Sequence, residues 1–228
     1  MTNGGPAIHR EWWFTQLTLF IWAWMLVGQA LEDRWLTQLL LQVCLLNAML
    51  TTLKANPEWG LARGITIGLW LLALAGSLIA FAPVPPAWER LALGIETMSL
   101  LPLLALLAAG ILRFVYRSRR LTIDGVFATV VVYMIVAIFF SRLYLLILGV
   151  NPLAFDLPVP VAERTPHLLQ VDLLYYSLIT QCSVGYGDVL PMSDAARMLA
   201  VIQAVVGQFY MAVVVAIFVG MYATQRRD

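Results

Sequence analysis

The sequence predicts an all-α membrane protein: six transmembrane helices, with a short re-entrant helix and a glycine-rich strand between the fifth and the sixth. Three observations carry this. The 228 residues are 61% hydrophobic and only 12% charged, where a soluble domain carries about 25% charged residues. Most of the apolar residues fall in runs long enough to cross a bilayer. One further apolar segment is too short to cross and runs into closely spaced glycines.

A hydrocarbon core about 30 Å thick needs about 20 apolar residues as helix. The runs 12–31, 36–53, 64–82, 91–112 and 197–222 meet that need. Another begins near Ile123, stays free of charge from Gly125 to Ser141 and then meets Arg142. Pro57, the cluster Pro83, Pro85 and Pro86, and the stretch from Pro152 to Pro166 separate the runs, as residues that cannot continue a helix should. The first run is too long for a cleavable leader, and Glu11 stands beside Arg10 on its near flank.

Orientation follows from basic residues near the span ends. With the N-terminus in the cytoplasm, nine of the fourteen Lys and Arg lie inside, including Arg113, Arg117, Arg119 and Arg120, and five lie outside. Both termini are therefore expected in the cytoplasm. The arginine cluster acts as a topology anchor, with anionic lipid headgroups as compatible contacts. Trp12, Trp13, Trp35, Trp59 and Trp88 fall near predicted span ends, as in an interfacial aromatic belt. Cys44 and Cys182 both sit in apolar segments and are expected to be small buried residues, not a disulfide pair.

Leu168 to Cys182 is apolar for only about fifteen residues, too few to span. It leads into Ser183-Val184-Gly185-Tyr186-Gly187-Asp188, which a helix accommodates poorly. Non-helical backbone is tolerated at membrane depth only where protein buries it or water lines it. The segment is thus a re-entrant loop whose two ends lie on the outer face.

Thr180, Cys182, Ser183, Val184, Gly185, Tyr186, Gly187 and Asp188 closely resemble the pore-helix end and ion filter of the potassium channel family, whose pattern is Thr-x-Thr-Thr-Val-Gly-Tyr-Gly-Asp. Cys182 and Ser183 replace two threonines. The resemblance implies that the backbone of Ser183 to Gly187 supplies carbonyl oxygens to potassium, with ions held at Ser183, Val184, Gly185 and Tyr186. Thr180, Cys182 and Asp188 would support that strand. Potassium exchanges its hydration shell for such carbonyls at little net cost. Aiming successive carbonyls at one axis demands backbone angles that favour glycine at 185 and 187. Val184 and Tyr186 would then turn away into a packed collar. Non-selective relatives usually lack the aromatic between the two glycines.

One loop cannot enclose an axis, and the chain carries one such motif, so a homotetramer is expected. The implied molecule conducts potassium passively across a cell membrane. Potassium is its permeant ligand, and no cofactor, enzymatic activity or nucleic-acid partner is implied; the net charge is only +1. The family's inner helix often bends at a glycine, and Gly207 falls at that position, either as a hinge or as a site of close packing. Val215, Ala216 and Val219 have a spacing that suits an apolar constriction. Acidic Asp156, Glu163 and Asp172 lie near the outer mouth, partly offset by Arg164.

Six spans with the pore between the last two is the layout of the voltage-gated superfamily. This implies a sensor-like scaffold domain at 1–120 and a pore domain at 121–228. Yet 91–112 holds no basic residue, and its one charge is Glu96. About three to four gating charges per subunit are needed for steep voltage dependence, so the scaffold is expected to lack a working sensor. Glu96 and Arg142 fall at similar depth: they either form a buried charge pair, or Arg142 ends its span among the headgroups. The sequence stops at Asp228, a few residues past the last run, so either gating lies within the membrane or a cytoplasmic regulatory domain belongs to a longer chain.

Overall fold

The computed structural model describes residues 34–81, 85–117, 122–161 and 164–225, together with 14, 16–19 and 21. In chain order the elements are α1 (Arg34–Ala55), α2 (Gly60–Phe81), α3 (Pro86–Arg117), α4 (Ile123–Val150), β1 (Phe155–Asp156), α5 (Pro166–Gln181), β2 (Leu190–Pro191) and α6 (Asp194–Gln225). Five helical stretches among the described residues are long and apolar enough to cross a membrane: Leu36–Ala55, Gly60–Ile79, Leu91–Arg117, Ile123–Val150 and Asp194–Gly220. The predicted run 12–31 lies largely outside the described residues, as does the expected domain boundary at 120–121. Phe14, Gln16 to Leu19 and Ile21 are helical.

Small residues allow close helix packing in the scaffold. A side chain at Gly76 of α2 would come within 2.9 Å of the Ala92 carbonyl oxygen on α3. One at Gly110 of α3 would come within 2.4 Å of Thr52 on α1. One buried apolar cluster then runs from Phe14 and Leu17 through Leu45, Leu103 and Leu107 to Val131, Ile135 and Leu174. The first run and α1 to α5 therefore share a core. Phe14 ties the first run to α4, its backbone N–H donating to Asp124 at 3.0 Å.

At the predicted inner end, Glu58 in the α1–α2 loop pairs with Arg117 and, at 3.2 Å, with Arg113. Its own backbone hydrogen bond and then the two guanidinium groups hold its carboxyl below the usual value. Two members of the arginine cluster thus also tie the α1–α2 loop to the end of α3.

Thr122 caps α4, accepting from the Gly125 N–H at 3.0 Å. Arg142 lies inside this helix and is only 5% exposed, so protein rather than headgroups surrounds it. Asn151 ends α4, and the chain returns as β1, which pairs antiparallel with β2 in the register Phe155↔Pro191 and Asp156↔Leu190. The rings of Tyr144, Phe155 and Tyr176 meet edge to face at 5.1–5.5 Å. This cluster fixes the outer linker against α4 and α5.

Candidate functional site

Thr165 caps α5 and Pro166 starts it, so the chain enters a helix of 16 residues. At about 1.5 Å per residue this is too short to cross a membrane. Its C-terminal end aims the last carbonyls, and the negative end of the helix dipole, at the segment that follows. That segment folds back on the helix: the N–H of Ser183 donates to Thr180 O at 3.0 Å, and that of Val184 to Ile179 O at 2.8 Å.

From there the backbone alternates. Ser183, Gly185 and Gly187 have φ of 56°, 56° and 80°, left-handed values that cost an ordinary L-residue about 1–2 kcal/mol. Glycine meets the requirement at two of the three positions, and Ser183 adopts it without being glycine. Cys182 through Asp188 are all exposed in the single chain. Val184 is 51% and Tyr186 72% exposed, so one chain does not build the expected collar around them. Cys182 is likewise exposed rather than buried, which corrects the sequence expectation, and neither cysteine is in a disulfide. Its Sγ lies 3.5 Å from the Tyr133 hydroxyl of α4.

Asp188 is held from behind: the Tyr175 hydroxyl donates to its Oδ2 at 2.7 Å, and the Val189 N–H to its Oδ1 at 3.1 Å. Thr180 is half-buried in the last turn of α5. Behind the strand lies a buried polar network among α4, α5 and α6. Gln203 Nε2 reaches Ser177 Oγ at 2.7 Å and Gln181 Oε1 at 3.2 Å, while Gln203 Oε1 accepts from Tyr144 at 2.7 Å. Ser177 donates to Ala137 O at 2.7 Å, and Gln181 Nε2 to Tyr133 O at 2.8 Å. Ser177, Gln181 and Gln203 are each 0% exposed. A satisfied network in a low-dielectric interior fixes one arrangement of the three helices.

Gly207 lies in an unbroken α6 and packs on this base. A side chain there would come within 2.4 Å of the Gln181 carbonyl oxygen. Close approach, one of the two reasons open for a glycine at 207, is therefore present. The next residue, Gln208, donates to Ser183 Oγ at 2.7 Å. Val215, Ala216 and Val219 are exposed on the same helix. In the linker predicted to lie at the outer mouth, Arg164 and Asp172 pair at 3.1 Å, Asp156 is exposed in β1, and Glu163 lies outside the described residues.

Glu96 and Arg142 are both buried, at 1% and 5% exposure. The hydrogen bond that Glu96 Oε1 accepts comes from Gln38, at 2.6 Å, and Gln38 also donates to Ser77 at 2.8 Å. Arg142 Nη1 has no hydrogen-bond partner among the described residues. It lines a cavity of about 30 Å³ with Gln38, Ser141, His167 and Gln170, so Gln38 is common to both surroundings.

Sequence reasoning missed Tyr175, Ser177, Gln203 and Gln208. Their signal was there for the two glutamines: amides in an otherwise apolar span are costly unless partnered.

The family model described as ion channel matches residues 128–224, from α4 through the strand to α6. The chain is 37% identical over 102 residues to protein LctB of Bacillus caldotenax, covering 44% of this chain and 75% of that protein. It is 42% identical over 48 residues to two pore potassium channel b of Oryza sativa subsp. japonica, covering 21% of this chain but only 14% of the rice protein. No solved structure matches the chain.

Proposed function

The chain belongs to the ion channel family, and from that premise we propose that it forms a potassium-selective channel, a homotetramer with the strands Ser183 to Gly187 around the axis. The observation that carries this is the alternation of left-handed backbone at 183, 185 and 187. Residues with alternating backbone handedness turn successive carbonyl oxygens toward one side, which is the ligand that a dehydrated potassium ion needs. The name of the rice relative, a potassium channel, supports the same ion. Exposure of Val184 and Tyr186 supports assembly, since neighbouring copies would cover them. Potassium-channel filters are built from four such loops, so four copies around one axis are the assembly that this reading implies.

The channel needs no cofactor and no chemical step; potassium passes down its gradient. It lies in the cell membrane, with both chain ends on the cytoplasmic side. Opening depends little on voltage, because the 91–112 stretch of α3 has no basic residue to move through the field.

The test is flux from reconstituted vesicles. Vesicles loaded with potassium should release it through the protein, and sodium-loaded vesicles should not release sodium. Equal release of both would make it a non-selective cation channel. Release of neither from tetramers would make it a non-conducting membrane subunit.

A further inference from the structure

We infer that Gln208 is a specificity-determining residue of the pore, forming a ring of side-chain amides just inside Ser183 that meets each ion between the inner cavity and the first filter oxygens. This rests on the potassium-channel reading. Gln208 Nε2 donates to Ser183 Oγ at 2.7 Å, and both residues are exposed on the face that one chain leaves open. The contact is built in from two sides. The Ser183 N–H is already taken by Thr180 O at 3.0 Å, and its φ is held at 56°, so its hydroxyl is the part left to orient. On the other side, Gly207 lets α6 approach the Gln181 carbonyl so closely that a side chain would lie 2.4 Å from it, which fixes where residue 208 begins.

A carboxamide has two N–H donors and one carbonyl oxygen. With a donor spent on Ser183, Gln208 keeps an amide oxygen, the same ligand type that the filter backbone offers to potassium. Val205, Val206, Phe209 and Met211 beside it are exposed apolar side chains. Gln208 is thus a polar group set at the inner mouth among apolar neighbours. Four of them around the axis would ease rehydration of an ion leaving the filter inward, and would bind small cations arriving from the inner side.

Single-channel recording of the reconstituted wild type, Gln208→Leu, Gln208→Asn, Ser183→Ala and the double variant Ser183→Ala with Gln208→Leu tests this. Gln208→Leu should lower unitary potassium current about three-fold or more and shift block by inner sodium by a similar factor, leaving block by outer sodium unchanged. Gln208→Asn, which keeps the amide, should fall between and carries the test if the leucine variant does not assemble. The double variant should do no more than the larger single change. Unitary current and inner block equal to wild type in both variants would overturn the inference, as would additive effects in the pair. A wild type that passes sodium as well as potassium would instead overturn the potassium reading on which it rests.

Discussion

In α1 and α4, 56% and 50% of the most apolar stretch is buried within one chain, whereas α2 and α6 bury only 22% and 11%. The two exposed helices differ in what accompanies them. α2 shows Leu61, Ile65, Leu71, Leu72 and Leu78, which hydrocarbon can cover as it stands. α6 shows Val201, Ile202, Val205, Phe209 and Val213, but beside it lies the exposed, non-helical strand from Ser183 to Asp188. Lipid cannot satisfy the backbone groups of such a strand. Hydrocarbon can finish the α2 side, whereas the strand beside α6 needs protein or water against it, which the proposed channel would supply. Exposure alone therefore does not mark a functional face; exposure next to non-helical backbone at membrane depth does.

The change that should break this contrast most completely is Gly185→Ala. A methyl group there meets nothing within 4 Å in one chain, so space is not the objection; the φ of 56° is. At about 1–2 kcal/mol per copy the strand would leave its alternating conformation. Potassium flux should vanish while insertion into the membrane, followed by protease protection, stays intact. Retained selective flux would contradict it.

Gln203→Leu and Gln38→Leu compare the two regions directly. The first leaves the Tyr144 hydroxyl without its acceptor and Gln181 Oε1 without that donor, at about 1–3 kcal/mol for each buried group left unpaired. The second takes from Glu96 the hydrogen bond it receives from Gln38. Both should lower the thermal unfolding temperature in detergent, but only Gln203→Leu should also shorten channel openings. Equal effects on opening would show that the scaffold is as tightly coupled to the strand as the network behind it.

A smaller effect is expected from Tyr175→Phe, which deletes an exposed hydrogen bond to Asp188 worth about 0.5–1.5 kcal/mol. Mean open time should fall several-fold at unchanged unitary current. The smallest response of all should be to voltage. A charge crossing the field is worth about 2.3 kcal/mol per 100 mV, and α3 offers no basic series within 91–112. A conductance–voltage slope equivalent to several elementary charges would refute a sensor-less scaffold.

Much of this architecture was legible beforehand because the bilayer simplifies the code. Apolar length gave the helices to within a few residues at most ends, as in 36–53 against Leu36–Ala55, and the same rule marked α5 as too short. The β1–β2 pair was not legible, since two residues in each strand carry no alternating pattern. The left-handed Ser183 was hidden because only glycine announces that conformation. Arg142 was ambiguous because a charge near the end of an apolar run reads equally as a headgroup contact or a buried group, and only packing separates these. The network around Gln203 joins three helices across 59 positions of sequence, beyond the reach of any local pattern.

The most direct test of the central claim is the reversal potential of reconstituted protein with potassium on one side and an equal concentration of sodium on the other. A channel whose strand replaces the potassium hydration shell should hold zero current only at a potential displaced by many tens of millivolts in the direction that opposes potassium flow. A reversal potential near zero would contradict the account.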